Sequence, residues 1–492
     1  MRPRKSALAA LAVPLLAALP AFAQTAPAQP APALNVDALR YPALREFQFP
    51  RPERVVLDNG LVVLLLEDHE LPLIETTALV RAGTRLDPAN EIGLGDLAGE
   101  VLRTGGTTGL PADALDDYLE DRAASLEVGV GEELATVYLS ALKADYPDLL
   151  KVFADVLRRP AFDARKLDVA KNQAIASVSR QNDDPEGVLF REFQKLVYGP
   201  DSPYAWTQTY ATLGNINRDD LVAWHRRNFS PDRTVIGVAG DFNRDEVLRQ
   251  LREAFGDWPK GAQTADKGVP FRQQPTPGLF QVEKNDSAQS FLILGHLGVR
   301  RDDPDYYALE VLNQLLSGSF ASRLVSSVRT EKGLAYSVAG AVGSDWDHPG
   351  LAYFFASTKK ETTGAGLDAL LEELDKLRTS PPTGEEVEKA RNALLNSYVF
   401  KADSVARILG QQLLFETYGY PADWLSRYRT GIEAVTTEQV RQAALRHLRR
   451  QDLSILVVGP TSGLDKPLDS YGKVTRLDVT IAPPKGAPAR KP

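Results

Sequence analysis

GLGDLAGEVLRTGG, residues Gly93 to Gly106, is a helix whose two acids, Asp96 and Glu100, stand one turn apart on one face. Carboxylates at that spacing are hard oxygen ligands that suit calcium, magnesium or manganese better than zinc, and a pair alone makes a poor cage. The ordinary reading of such a pair is two solvated helix charges. Between them Gly99 has no side chain, so even a bound ion would lack a carboxylate to take a proton from its water. Losing a general base lowers a rate by on the order of a hundred- to ten-thousand-fold. The stretch predicts scaffold without metal chemistry.

On the N-terminal side, Val55–Leu57 and Leu61–Leu66 flank Asn59-Gly60, the pattern of two strands joined by a tight turn, and Thr76–Ala82 adds another strand. On the C-terminal side follow a helix at Ala112–Arg122, strands at Leu126–Val130 and Leu134–Leu142, and helices at Asp148–Arg158 and Asp163–Arg180. After a turn-rich loop, Tyr198–Trp206, a helix at Arg218–Asn228 and a strand at Thr234–Ala239 close the first half. A linker over 261–278, with Pro270, Pro275 and Pro277, divides the chain into 47–260 and 279–478. The second half repeats the first. INRDDLVAWHRRNF and TVIGVAG align without a gap on VTTEQVRQAALRHL and LSILVVG at an offset of 219, pairing Ile216 with Val435 and Gly240 with Gly459. Ala82-Gly83 and Asp87-Pro88 find counterparts in Leu297-Gly298 and Asp303-Pro304. A register held over so long a span marks an internal duplication.

Gly93, Leu94, Leu97, Leu102 and Gly105 match the zinc-helix signature of the pitrilysin/insulinase peptidases, which the chain resembles from about Arg54 to Asp478. Laid on that HxxEH pattern, the metal histidines fall on Asp96 and Glu100, the general-base glutamate on Gly99, and the third ligand near Ser177. All four positions are vacated. The resemblance implies an α+β fold of two tandem homologous α/β-sandwich domains, half of a clamshell, with a second chain needed to complete the chamber. SGSFASRLVSSVRTEKGLAYSV is the best-kept family segment; its substrate-binding arginine and tyrosine, seven residues apart, fall on Arg329 and Tyr336. A guanidinium fork and a phenol are the donors that stabilise a developing oxyanion. The alternatives are that Arg329 is a surface salt-bridge partner and Tyr336 a core strand residue. By the same resemblance Leu126, Glu127, Val128, Gly129 and Val130 form the strand to which a peptide adds, with an ordinary sheet strand as the alternative. The resemblance implies a non-catalytic subunit whose partner is a zinc-bearing homologue, with peptide as substrate and no cofactor of its own; a scaffold of the same fold is the second reading. Hydrolysis by the chain alone, through Asp96 and Glu100, is the weakest.

The ends and the composition narrow the setting. Residues 1–23 carry Arg2, Arg4 and Lys5, an apolar run from Ala7 to Leu19 and an Ala21-Phe22-Ala23 cleavage pattern, which predict a secretory signal and a periplasmic or secreted product without a membrane anchor. Its removal takes away those three cations and no acid, moving the net charge from −8 to −11, a poor partner for nucleic acid. Residues 24–46 form a Pro/Ala-rich arm, and 479–492 a tail expected to fray. With no cysteine there is no disulfide, thiol nucleophile or thiolate metal site. The five histidines, His69, His225, His296, His348 and His447, form no turn-spaced pair and are expected at the surface or at caps.

Overall fold

The computed structural model describes residues 49–261 and 268–484; the expected signal at 1–23, the expected arm at 24–46 and most of the expected tail lie outside the described residues. The first half contributes β1 (Glu53–Val56), β2 (Val62–Glu67), β3 (Leu73–Val80), β4 (Ser125–Val130), β5 (Ala135–Leu142) and β6 (Thr234–Gly240). Its helices are α1 (Leu94–Thr104), α2 (Ala112–Glu120), α3 (Tyr146–Arg158), α4 (Ala164–Arg180), α5 (Pro185–Tyr198), α6 (Tyr210–Asn215), α7 (Arg218–Asn228) and α8 (Arg244–Phe255). The second half contributes β7 (Gly278–Glu283), β8 (Gln289–Leu297), β9 (Val299–Arg300), β10 (Ala335–Asp345), β11 (Pro349–Lys359), β12 (Ser454–Gly459) and β13 (Val474–Arg476). Its helices are α9 (Tyr306–Ser317), α10 (Thr363–Thr379), α11 (Gly384–Tyr398), α12 (Val405–Tyr418), α13 (Trp424–Ala434) and α14 (Thr437–His447), and Val325–Glu331 winds as a π-helix.

The duplication is visible in the sheets. One runs β1-β2-β6-β3-β5-β4, the other β13-β7-β12-β8-β11-β10-β9. In each, a parallel pair, β2 with β6 or β7 with β12, is followed by antiparallel pairing through β3-β5-β4 or β8-β11-β10, and the second sheet adds the short β13 and β9 at its two edges, parallel to β7 and β10. Gly83 and Gly298 mark the same corner of each half. A Cβ on Gly83 would lie 2.0 Å from the Glu132 carbonyl oxygen, and one on Gly298 2.3 Å from that of Gly343.

Alternation along the strands sends two apolar sets to opposite faces. In the first sheet, Val63, Leu65, Ala78, Val137 and Ile236 join the core built with the helices of that half. Leu64, Leu66, Leu79, Val235 and Ala239 on the other face are covered by Ile408, Leu409 and Leu413 of α12, a helix of the second half. The second sheet mirrors this, with Val282, Ile293, Leu456 and Val458 covered by Val188, Leu189, Phe193 and Val197 of α5. The halves therefore exchange a helix.

The two exchanged helices are copies of each other at an offset of 220, from the caps Asp184 and Ser404 to the closing Gly199 and Gly419. Their last residues, Tyr198 and Tyr418, meet at the junction of the halves. There Glu133 accepts from Tyr418 Oη at 2.6 Å and lies 2.8 Å from His348 Nδ1, while Tyr198 Oη donates to the Pro349 carbonyl at 2.9 Å. Burial pushes the Glu133 carboxyl up, but the hydrogen bonds from His348 and Tyr418 outweigh it and leave the group below its ordinary range.

Three expectations are corrected here. His296 and His348 are buried, not superficial: His296 spends Nδ1 on the Leu297 carbonyl and Nε2 on the Arg449 N–H, which fixes a neutral ring in β8. The tail is anchored as far as Ile481, because Leu477 and Val479 join the cluster under α5 and Ile481 packs on the first core. Tyr198 closes α5 rather than opening a loop.

Candidate functional site

The vacated helix is held with care at its start. Gly93 offers no capping side chain, and buried Asp87 reaches in from the preceding loop to accept from the Gly93 and Gly95 N–H groups at 3.0 and 2.9 Å. Desolvation pushes the Asp87 carboxyl up to about 7 against the pull of those N–H groups. Asp96 and Glu100 both project on the exposed face, one turn apart as read from the sequence. Crowding by neighbouring protein raises the Asp96 carboxyl, opposed by Gln208, whose Nε2 donates to Oδ2 at 2.6 Å. Gln208 is a site residue that the sequence did not reveal.

Gly99 faces β4, not solvent. A Cβ built on it would lie 2.5 Å from Val130 Cγ2 and 3.1 Å from Val130 Cβ, distances that van der Waals radii forbid without movement. Val130 occupies the room that a glutamate would need. Ser177 is exposed on α4, which packs beside α1, and no acid replaces it. Two carboxylates, one already bonded to an amide, with no imidazole and no base, do not fit a zinc centre.

Among the described residues the one cluster with cation-ligand spacing is Asp303, Asp305 and His447, in the other half. Arg446 already grips Asp305 through both its Nε and Nη2, at 2.7 and 2.6 Å, so the cluster is an ion-pair network.

The strand named from sequence as a peptide acceptor, β4, is an edge of the first sheet, with β5 on one side and, among the described residues, no strand on the other. Leu126 belongs to the core and Val130 packs on Gly99, while Glu127 and Gly129 are exposed. Arg103 of α1 donates through Nε to the Leu126 carbonyl at 3.0 Å, which ties the helix to the strand.

In the second half Arg329 lies in the π-helix and Tyr336 at the start of β10. An extra residue in a helical turn re-aims the side chains after it, and such bulges recur at functional sites. The Arg329 guanidinium carbon sits 5.2 Å from the Tyr336 ring centre. The Arg329 side chain makes no hydrogen bond or ion pair among the described residues, whereas nearby Arg323 is held by Glu386 at 2.9 Å through two nitrogens. Tyr336 is 78% exposed. Neither the salt-bridge nor the core-strand alternative describes these two residues. Phe320, nine positions before Arg329, places its ring centre 5.5 Å from the same guanidinium and is 79% exposed. Its only signal in the sequence is an aromatic residue in a Ser/Gly loop. Among the described residues no hydrogen bond, ion pair or ring contact joins this group to Asp96, Gly99 or Glu100.

Comparison with known proteins agrees with this geometry. Residues 62–201 match the family described as Insulinase (Peptidase family M16), and 215–394 match the Peptidase M16 inactive domain. A Bacillus subtilis protein called uncharacterized zinc protease YmxG is 24% identical over 84% of this chain and 99% of its own length. A Helicobacter pylori protein called non-peptidase homolog YmxG is 24% identical over 80% and 91%. A solved Pseudomonas fluorescens structure, described as a peptidase M16 inactive domain, superposes with a TM-score of 0.76 at 28% identity, covering 85% of this chain and all of that one. Two family matches in tandem, the repeated sheet and the degenerate zinc helix lead to one conclusion: the chain belongs to the M16, or insulinase, peptidase family, as a member without the zinc-binding residues.

Proposed function

We propose that this chain is the non-catalytic subunit of an exported, two-chain zinc peptidase, lending Arg329 and Tyr336 to a peptide held in a chamber whose zinc sits in a homologous partner. The observation that carries the reading is a guanidinium without a hydrogen bond or ion pair among the described residues, beside an exposed phenol, in a chain whose zinc helix has Val130 packed where the base would stand. An arginine kept free of carboxylates retains all its N–H donors for a substrate carbonyl. The open edge of β4 offers a place for the peptide backbone. The relative called a non-peptidase homolog supports the loss of chemistry in this chain.

The test is peptide hydrolysis by this chain, by a zinc-bearing M16 homologue of the same cell, and by the two mixed, each with zinc and with chelator. Activity is expected only in the chelator-sensitive mixture, and Arg329→Ala is expected to lower kcat there by about a hundredfold or more, the scale of one lost oxyanion donor. Hydrolysis by this chain alone would overturn the reading. A mixture indifferent to Arg329→Ala would leave the second reading, a scaffold that completes the assembly without touching substrate.

A further inference from the structure

Phe320 and Tyr336 are the two most exposed of the large hydrophobic side chains described, and both lie against one guanidinium. An apolar ring left in water at 79% exposure gains nothing for the fold. Nor is it the tip of a loose loop. Ser317 Oγ donates to the Gly340 carbonyl at 2.6 Å, Ser322 Oγ to the Ser319 carbonyl at 2.6 Å, and Arg323 clamps Glu386 just beyond. The loop presents the ring from a braced base.

The chemistry of Arg329 explains why a ring stands there. A carboxylate would hold the guanidinium but would also neutralise it and consume its donors. An aromatic face attracts the cation through the ring quadrupole and leaves every N–H free. With a ring near it from Phe320 and another from Tyr336, the guanidinium has its rotamers restricted while its fork stays available.

Resting on the function proposed above, we propose that Phe320 is a positioning and specificity-determining residue. It holds Arg329 in place, and its solvent-facing surface receives an aromatic or large aliphatic side chain of the peptide next to the carbonyl that Arg329 grips. The substrates favoured are therefore peptides with an apolar residue beside the cleaved bond.

The experiment uses the mixed complex and two matched peptides that differ only in carrying phenylalanine or glycine beside the cleaved bond. Wild type is expected to favour the phenylalanine peptide by about tenfold or more in kcat/KM, the scale of an apolar-pocket contact. Phe320→Ala is expected to bring that ratio close to one, chiefly through KM, and Phe320→Tyr to restore it. Because the ring is exposed, the melting temperature of the unmixed chain should not move. A ratio unchanged in Phe320→Ala, while Arg329→Ala still lowers kcat, overturns this inference alone. A mixture indifferent to Arg329→Ala overturns the lending of Arg329, and the inference falls with it. Loss of the preference together with a lowered melting temperature, unrestored by Phe320→Tyr, marks a structural role and also overturns it.

Discussion

A glutamate placed at position 99 would have to push Val130 aside, because its Cβ would begin 2.5 Å from Val130 Cγ2. Overpacking of a filled site costs about 1–3 kcal/mol, so Gly99→Glu is expected to lower the melting temperature, and Val130→Ala in the same chain to recover much of the loss. An unchanged melting temperature would show that β4 yields freely and that the base position is open. At this scale the letters were informative about what is missing, since Asp96, Gly99 and Glu100 announce their chemistry by type and spacing alone. What fills the gap was not readable. Val130 reaches Gly99, and Gln208 reaches Asp96, through contacts set by tertiary packing rather than by any local period. The same holds for Arg329: that it lacks an acid partner among the described residues depends on which carboxylates the fold brings near, and Glu386 goes to Arg323 instead.

Among the elements, α5 and α12 are the informative pair. Both present the same buried positions, Val188 and Ile408, Leu189 and Leu409, Phe193 and Leu413. They differ towards their ends, where Leu196 and Val197 correspond to Glu416 and Thr417, and in the middle, where Phe190 of α5 packs edge-on to Tyr353 at 5.9 Å and against Phe355 at 5.5 Å while its counterpart on α12 is Gly410. Nothing lies within 4 Å of a Cβ at Gly410, which lines a groove of about 460 Å³ with Leu79, Phe400 and Leu414. Glycine inside a helix weakens it, so Gly410→Ala is expected to stabilise the protein by about 0.5–1 kcal/mol, read as a raised denaturation midpoint. A lowered midpoint would mean that the helix needs the glycine for a contact the free chain lacks. Strands β2, β4 and β5 fall within two residues of the positions read from alternation and turn residues. Helix α5 is not legible in the sequence. Its apolar side serves the other half's sheet, and along the repeat it shares only Leu189, Tyr198 and Gly199 with Leu409, Tyr418 and Gly419.

For the whole molecule, the exchange of helices couples the halves more tightly than a linker would. Each sheet has one face completed by the other half, and Glu133 with Tyr418 and His348 closes the seam. Unfolding of the described body is therefore expected as one transition, with far-UV circular dichroism and tryptophan fluorescence coinciding, although chains of this length often unfold in steps. Two separated transitions would show that each half stands without its borrowed helix. The two-domain plan was legible because its repeat holds register at the closing helix and strand; the interlock was not, since nothing in a repeat says which copy a helix will cover. The exchanged helix also imposes a timetable on synthesis. Strand β6 ends at Gly240, but α12 begins only at Val405, 165 residues later. At ribosomal speeds of about 5–20 residues per second, Leu64, Leu66 and Val235 wait roughly eight to thirty seconds for their cover. A nascent chain stopped at the linker thus holds every strand of its first sheet but not the helix that covers Leu64, Leu66 and Val235, a segment of the same polypeptide still to be made.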